Sequence, residues 1–403
     1  MSLRSSRAVA VTLVTLATFT DIVAYAIAIP VLPALSRTLG ASPTTIGLLF
    51  GSFGVTLLTV SMPMGAVSDR VGRKGPIVGG LVALFASTLL FAFADSLPWL
   101  FAARLVQGAA DAVTWVVGFA LVADLYESDE RGKVTGIVMM GTSFAVMIGP
   151  TIGGWLYEIG GIRLPFLFVA ALAAVTTALF CWYQPPPRHA DTEHVRIVTV
   201  LRIPAVGACA LAVVAISSTI SMLEPLLSLY LANLGVGPAR VGSIYGAAAI
   251  GGVLMHPIYG RLADRFGARR LTMIGLALTA CFLPLLGLAH SYRAALGLFL
   301  LSASGAAVVI TPSLSYMGEA TSDAGIRSFG IAYGLYNLAW GAGLLGGPAV
   351  GGFLYERVGF ARVLLSWSPL LLLVMVMLAA VGADRAGGAG RAGRAGRADT
   401  EVA

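Results

Sequence analysis

Four ionisable residues stand inside otherwise apolar stretches of the chain: Asp21, Arg104, Asp111 and Glu224. A charge surrounded by hydrocarbon is costly and survives mainly where it faces a cavity or a partner, so these four are the first candidates for chemistry. Helical spacing gathers neighbours around them. Tyr25 follows Asp21 one turn on; Arg104, Gln107, Gly108, Asp111 and Trp115 share a stripe, and so do Ser217, Ser221, Glu224 and Ser228. A later stretch carries Tyr333, Tyr336, Asn337 and Trp340, an aromatic stripe with one amide. Acidic groups beside aromatic faces suit an organic cation, through charge pairing and cation–π attraction. A carboxylate in low dielectric can also hold a proton and release it when a cation arrives, which is exchange. Blander readings compete: Arg104 neutralises Asp111 as a structural pair, the serines satisfy Glu224, and the aromatic stripe is packing. His256, beside Pro257, reads as helix-end packing.

The elements that must position these residues are membrane spans. Hydrophobic residues make up 58% and charged residues 11% of the chain, and mean hydropathy is +0.88, more apolar surface than a soluble fold can bury. A hydrocarbon core of ~30 Å takes about 20 residues per helix, so a chain of this length has room for about twelve spans. They are expected at 8–33, 45–67, 75–93, 99–123, 134–157 and 164–183, then 205–230, 241–262, 271–289, 292–316, 329–355 and 362–381. The first is too long for a secretory signal, carries Asp21 and runs on to Pro30 and Pro33, so it counts as a span. The fold class is an all-α membrane protein of two six-helix bundles, 1–183 and 205–381. A cytoplasmic linker at 184–204 and a low-complexity, disordered cytoplasmic tail at 382–403 complete the organisation.

Basic residues orient the spans. With both ends inside, 19 of the 26 Lys and Arg fall in cytoplasmic segments, so the net charge of +7 reports topology and anionic lipid. The aromatic-interleaved basic face of a nucleic-acid binder is absent. No nucleotide loop, metal cluster or nucleophile–base arrangement appears, so neither an enzyme nor a cofactor is expected. Cys181, Cys209 and Cys281 lack paired spacing, and His189, His194, His256 and His290 are scattered.

The chain also repeats itself. GAVSDRVG at 65–72 returns as GRLADRFG at 260–267, 195 residues on. The set Gly136, Ala145, Gly149, Pro150, Gly153 and Gly154 returns 198 residues on as Gly334, Gly343, Gly347, Pro348, Gly351 and Gly352. Repeats of six spans place a site near the midplane between halves and imply alternating access by rocking. Pro150 and Pro348 are expected to bend or break their spans.

These phrases, with RLVQGAADA in the fourth span, resemble the major facilitator superfamily, and specifically its twelve-helix drug:proton antiporter branch. Locally, FTDIVAYAIAIPVLP, LYESDERGKVTG, LYEIGGIRLPFLFVAAL and SMLEPLL look like the vesicular monoamine carriers and their bacterial relatives. The resemblance implies that the first, fourth, seventh and tenth spans line a central cavity, which would give Asp21, Arg104, Asp111 and Glu224 to it. It ties Arg104, with Gln107 and Gly108, to proton transfer, whereas a carboxylate at Asp111 departs from the family pattern. It makes Gly65, Asp69, Arg70, Gly72 and Arg73, with Asp124 and the second copy's Asp264 and Arg265, a cytoplasmic latch in which Gly65 lets the second span approach the eleventh. Gly149, Pro150, Gly347 and Pro348 join these as gating residues.

Departures from the vesicular carriers are also plain. The second span has no lysine, and the tenth and eleventh offer Thr311, Ser315 and Asn337 where those carriers have acids. Only SRTLGASPT separates the first two spans, so a compact exporter of a prokaryotic plasma membrane is expected. The implied function is proton-coupled efflux of organic cations, drugs or amines by a monomer whose partners are that substrate, protons and lipid. The alternative is a uniporter or proton symporter of a neutral or zwitterionic solute.

Overall fold

The computed structural model of the protein describes residues 6–184, 200, 202–325 and 329–398, with side chains at 128–129, 329–331 and 382–398 excepted. Most of the expected linker, and the last five residues of the tail, lie outside the described residues.

The described residues are helical throughout, with no strand among them. The first half comprises α1 (Arg7–Thr38), α2 (Pro43–Val71), α3 (Lys74–Phe93), α4 (Leu97–Leu125), α5 (Ser128–Gly160) and α6 (Arg163–Trp182). The second comprises α7 (Pro204–Asn233), α8 (Pro238–Phe266), α9 (Ala268–Phe282), α10 (Tyr292–Asp323), α11 (Phe329–Val358) and α12 (Phe360–Ala398). Eleven of these, counting α9 with the 3-10 turn that continues it to Leu288, are long and apolar enough to cross a membrane. The remaining one, α11, falls short because Gly, Tyr and Asn dilute its apolar residues, yet it lies between two spans and packs on α7 and α2.

Each half begins and ends on one face of the bundle, here the terminal face; the other is the opposite face. Helices reach beyond the expected ends. α1 continues through Pro30 and Pro33 to Thr38, α2 starts at Pro43 with Ser42 accepting a hydrogen bond from Thr45 N–H, and α5 starts at Ser128. Such overhangs carry polar residues that hydropathy excludes from a span. Pro150 and Pro348 break neither helix, since α5 and α11 run continuously through them. α9 instead gives way to a 3-10 segment, Leu283–Leu288, at Pro284. The backbone of α12 is helical to Ala398, where a disordered tail was expected.

The halves meet through two equivalent crossings, α2 with α11 and α5 with α8, and more lightly through α1 and α7. Small residues make the crossings close. A Cβ on Gly47 would strike the Pro348 carbonyl, and on Gly51 it would sit 2.7 Å from the Leu345 carbonyl oxygen. On Gly242 it would strike the Pro150 carbonyl, and on Gly246 the Thr151 hydroxyl. Backbone contact of this kind is the usual way helices pack tightly in lipid. Both crossings are confined to the opposite face. Apart from Ser68, the buried residues of α2 run only from Ile46 to Gly54, and apart from Ala263 those of α8 run only from Val241 to Gly246. Towards the terminal face Met62, Val67 and Val71 of α2, and Leu254, Ile258 and Phe266 of α8, are exposed. The bundle is therefore closed on the opposite face and splayed on the terminal one.

Candidate transport site

The site residues come from α1, α2, α4 and α7. Asp21 and Asp111 lie near the middles of α1 and α4, and both are buried. The Thr114 hydroxyl donates to Asp21 Oδ2 at 2.9 Å. The Asp111 side chain lies beside those of Asp21 and of Trp115, one helical turn on.

Nearer the opposite face, Arg104 is 0% exposed, and its Nη1 donates to Gln107 Oε1 at 2.7 Å. Its guanidinium lies 4.8 Å from the Tyr25 and Phe50 ring centroids and 5.0 Å from that of Phe53. Such faces hold a cation in low dielectric without an ion pair. Arg104 Nε and Nη2, and Gln107 Nε2, make no hydrogen bond within the protein. Arg104 forms no ion pair with Asp111 among the described residues. The structural pair at that spacing is absent because the arginine turns towards Gln107 and the aromatic faces.

Tyr25 links this group to the second half. Its hydroxyl donates to Glu224 Oε2 at 2.5 Å. The serines of α7 do other work: Ser221 donates to the Gly343 carbonyl at 3.1 Å, and Ser228 to the carbonyls of Ile29 at 3.2 Å and Glu224 at 2.8 Å. The Glu224 carboxylate is thus held by the other half of the molecule rather than by its own helix.

The aromatic stripe of α11 splits. Tyr336 is buried, donates to the Ile310 carbonyl at 3.2 Å and stacks on Trp340 at 6.1 Å, so it packs on α10. Tyr333 points across the halves, with its ring 5.9 Å from Phe119 and its hydroxyl 3.7 Å from the Met139 sulfur. Phe119 in turn lies 5.3 Å from Trp115. An aromatic path therefore leads from the acidic pair towards the terminal face. Asn337 is exposed. His256 meets Thr311 Oγ1 at 2.7 Å, between α8 and α10.

The latch residues stand apart from the site. Arg73 pairs with Asp69 at 2.8 Å and with Asp124 at 2.8 Å, and its Nη1 donates to Ser68. This network ties α2 to α4 within one half. A Cβ on Gly65 would meet only Val116 of α4, at 3.6 Å. The close approach of α2 to α11 lies instead at Gly47, Gly51 and Gly54, because the terminal face is the open one. The second copy lacks the network, since Ala268 stands at the position of Arg73; Arg265 lies over Phe266 at 5.4 Å. Gly149 and Gly153 pack on Ala26 and Ile27 of α1, and Gly347 and Gly351 on Ser218 and Met222 of α7. Five residues at or near the site were not singled out in the sequence: Phe50, Phe53, Thr114, Phe119 and Met139. Aromatic and Met residues are too common in apolar helices to signal a site.

An apolar cavity of about 280 Å³ opens near the opposite face, lined by Pro30, Pro33, Arg37, Tyr157, Ser228 and Pro238 among others. It lies one helical turn beyond Glu224, not at the carboxyls, and Arg37 is the one charge in its lining.

Two pseudo-equivalent bundles with buried charges between them, closed at one face, define a membrane carrier. The chain belongs to the major facilitator superfamily, whose family model matches residues 14–203 and 208–400. It is 26% identical over 356 residues to the MFS-type transporter SLC18B1 of Homo sapiens, covering 83% of this chain and 78% of that one. It is 27% identical over 332 residues to the synaptic vesicular amine transporter of Homo sapiens, covering 81% of this chain and 65% of that longer one. Among solved structures it resembles a bacterial homologue of the human lysosomal transporter Spinster, with a TM-score of 0.73 at 17% identity over 94% of this chain and 95% of that one. It also resembles the human organic anion transporter MFSD10, with a TM-score of 0.68 at 21% identity over 93% of this chain and 99% of that one. The fold is shared with both. The protein is a multi-pass membrane transporter, not an enzyme.

Proposed function

We propose that the protein is a proton-coupled exporter of organic cations, amphiphilic amines or drugs, working by alternating access. The observation that carries this reading is the hydrogen bond from Tyr25 to Glu224. It joins the halves at a buried site whose three carboxyls outnumber its one guanidinium. A cation offsets part of the excess negative charge when the carboxyls are ionised, and protons offset it otherwise, so the two compete for one site. Trp115 and Phe119, both half-buried, supply faces for an amine and its apolar body. The relatives named as amine transporters support the same substrate class. Basic residues support a cytoplasmic terminal face, hence a splayed face open to the cytoplasm in a plasma membrane. One chain supplies the whole site, so a monomer suffices.

The test is a proteoliposome assay of organic cations against neutral solutes under an imposed pH gradient. We expect saturable cation flux that depends on the gradient and falls to background in Asp21→Asn. Equal flux in both proteins, or flux of neutral solutes alone, contradicts the proposal.

One observation favours a second reading, a carrier of zwitterions. The idle donors of Arg104 and Gln107 would accept a carboxylate while the acidic pair takes an amine. In the same assay, amino acids outcompeting amines would select it.

A further inference from the structure

Two glutamates outside the site close the opposite face in the same way. Glu158, near the end of α5, accepts from the backbone N–H of Ala239 at 3.1 Å, in the first turn of α8. Glu356, near the end of α11, accepts from the backbone N–H of Thr44 at 3.0 Å and from the Ser42 hydroxyl at 2.8 Å, in and just before the first turn of α2. The correspondence is complete at the level of register. Glu158 and Glu356 are 198 residues apart, and Ala239 and Thr44 are 195 apart, which are the spacings of the two internal repeats.

The first N–H groups of a helix have no partner in their own helix, and a carboxylate there gains from the hydrogen bond and from the positive end of the helix dipole. Position 237, just before α8, is glycine and offers no capping side chain. Glu158 supplies the acceptor from the other half. The adjoining glycines make this geometry possible: a Cβ on Gly154 would strike the Pro238 carbonyl, and one on Gly352 would lie 2.5 Å from the Pro43 carbonyl oxygen. Each crossing therefore ends in a cap that crosses the halves. When the halves part on the opposite face, both caps must break and the helix ends return to water.

We propose that Glu158 and Glu356 are paired positioning residues of the transport cycle, capping α8 and α2 across the halves only while the opposite face is closed. They stabilise one state of the carrier and leave the other untouched. Their role is independent of what the carrier binds.

The experiment uses the full chain in lipid, in a background with Cys181, Cys209 and Cys281 replaced by alanine. Spin labels are placed by Asp95→Cys and His290→Cys, exposed positions on the opposite face in different halves. Pulsed electron resonance then reads the ratio of short to long distances without any substrate. Loss of a typical N-cap shifts an equilibrium by about fivefold, so Glu158→Ala or Glu356→Ala is expected to raise the long-distance fraction by about that ratio. The double variant is expected to give about 25-fold if the caps act independently. The pair Glu158→Gln and Glu356→Gln keeps an acceptor oxygen and is expected to shift the ratio less. Thermal unfolding should move little, because both side chains are exposed. An unchanged distance distribution in the double alanine variant, or a lowered melting temperature without a change in the ratio, overturns the proposal.

Discussion

Glu224→Gln is expected to lose gradient-driven transport by about 100-fold or more, the scale of removing an obligatory proton-transfer group. The substitution is well placed to separate chemistry from folding. The Tyr25 hydroxyl donates to Glu224 Oε2, and the amide oxygen of glutamine can accept the same bond. The contact between halves survives while the titrating charge is lost. Exchange of one labelled cation for another requires no net proton movement, so it should persist in the variant even as gradient-driven uptake disappears. Uptake assays in both modes check this. Loss of both modes, with reduced protein in the membrane, would mark Glu224 as a structural residue.

The second large effect is expected at the crossings. In Gly47→Leu or Gly242→Leu the new side chain must enter space held by the Pro348 or the Pro150 carbonyl. Overpacking of this kind costs about 1–3 kcal/mol, and backbone is the least able group to move aside. Only the state closed on the opposite face contains these contacts, so the cost falls on that state alone. The expected outcome is a shift of about 5- to 150-fold towards an open opposite face, with turnover reduced to match. Gly79→Leu is the control, because nothing lies within 4 Å of a Cβ there. Labelling of single cysteines from either side of the membrane measures the shift. Equal labelling in Gly47→Leu and Gly79→Leu would mean that the crossing carries no conformational weight.

Much of this architecture was legible in the sequence. Span count and the two-bundle plan followed from apolar length and from the Gly65–Gly72 and Gly260–Gly267 copies. The repeat reached further than its obvious phrases. Pro43, Gly47 and Gly51 recur as Pro238, Gly242 and Gly246 at the same 195-residue interval, and these residues form the two crossings. Glu158 and Glu356 also repeat, inside LYEIGG and LYERVG, yet an exposed glutamate at a helix end attracts no notice until its partner is seen.

The buried charges were legible as individuals but not as partners. Helical spacing identifies neighbours on one helix, and it correctly put Arg104 near Gln107 and Asp111 near Trp115. It says nothing of how two helices are rotated against each other. The meeting of Asp21 with Asp111 and Thr114, and of Tyr25 with Glu224, depends on that rotation. The same limit explains Gly65: the phrase marks a loop of the fold, but which helix it approaches depends on which face of the carrier is closed.

The central claim is that cation and proton exchange at one shared acidic site. It is tested most directly by trapping a pH-sensitive dye inside proteoliposomes of the purified protein and adding an amphiphilic amine outside, with no gradient imposed. The account predicts proton movement opposite to the amine, saturating with amine concentration and absent in Glu224→Gln. Amine entry that leaves the internal pH unchanged in the native protein would contradict it.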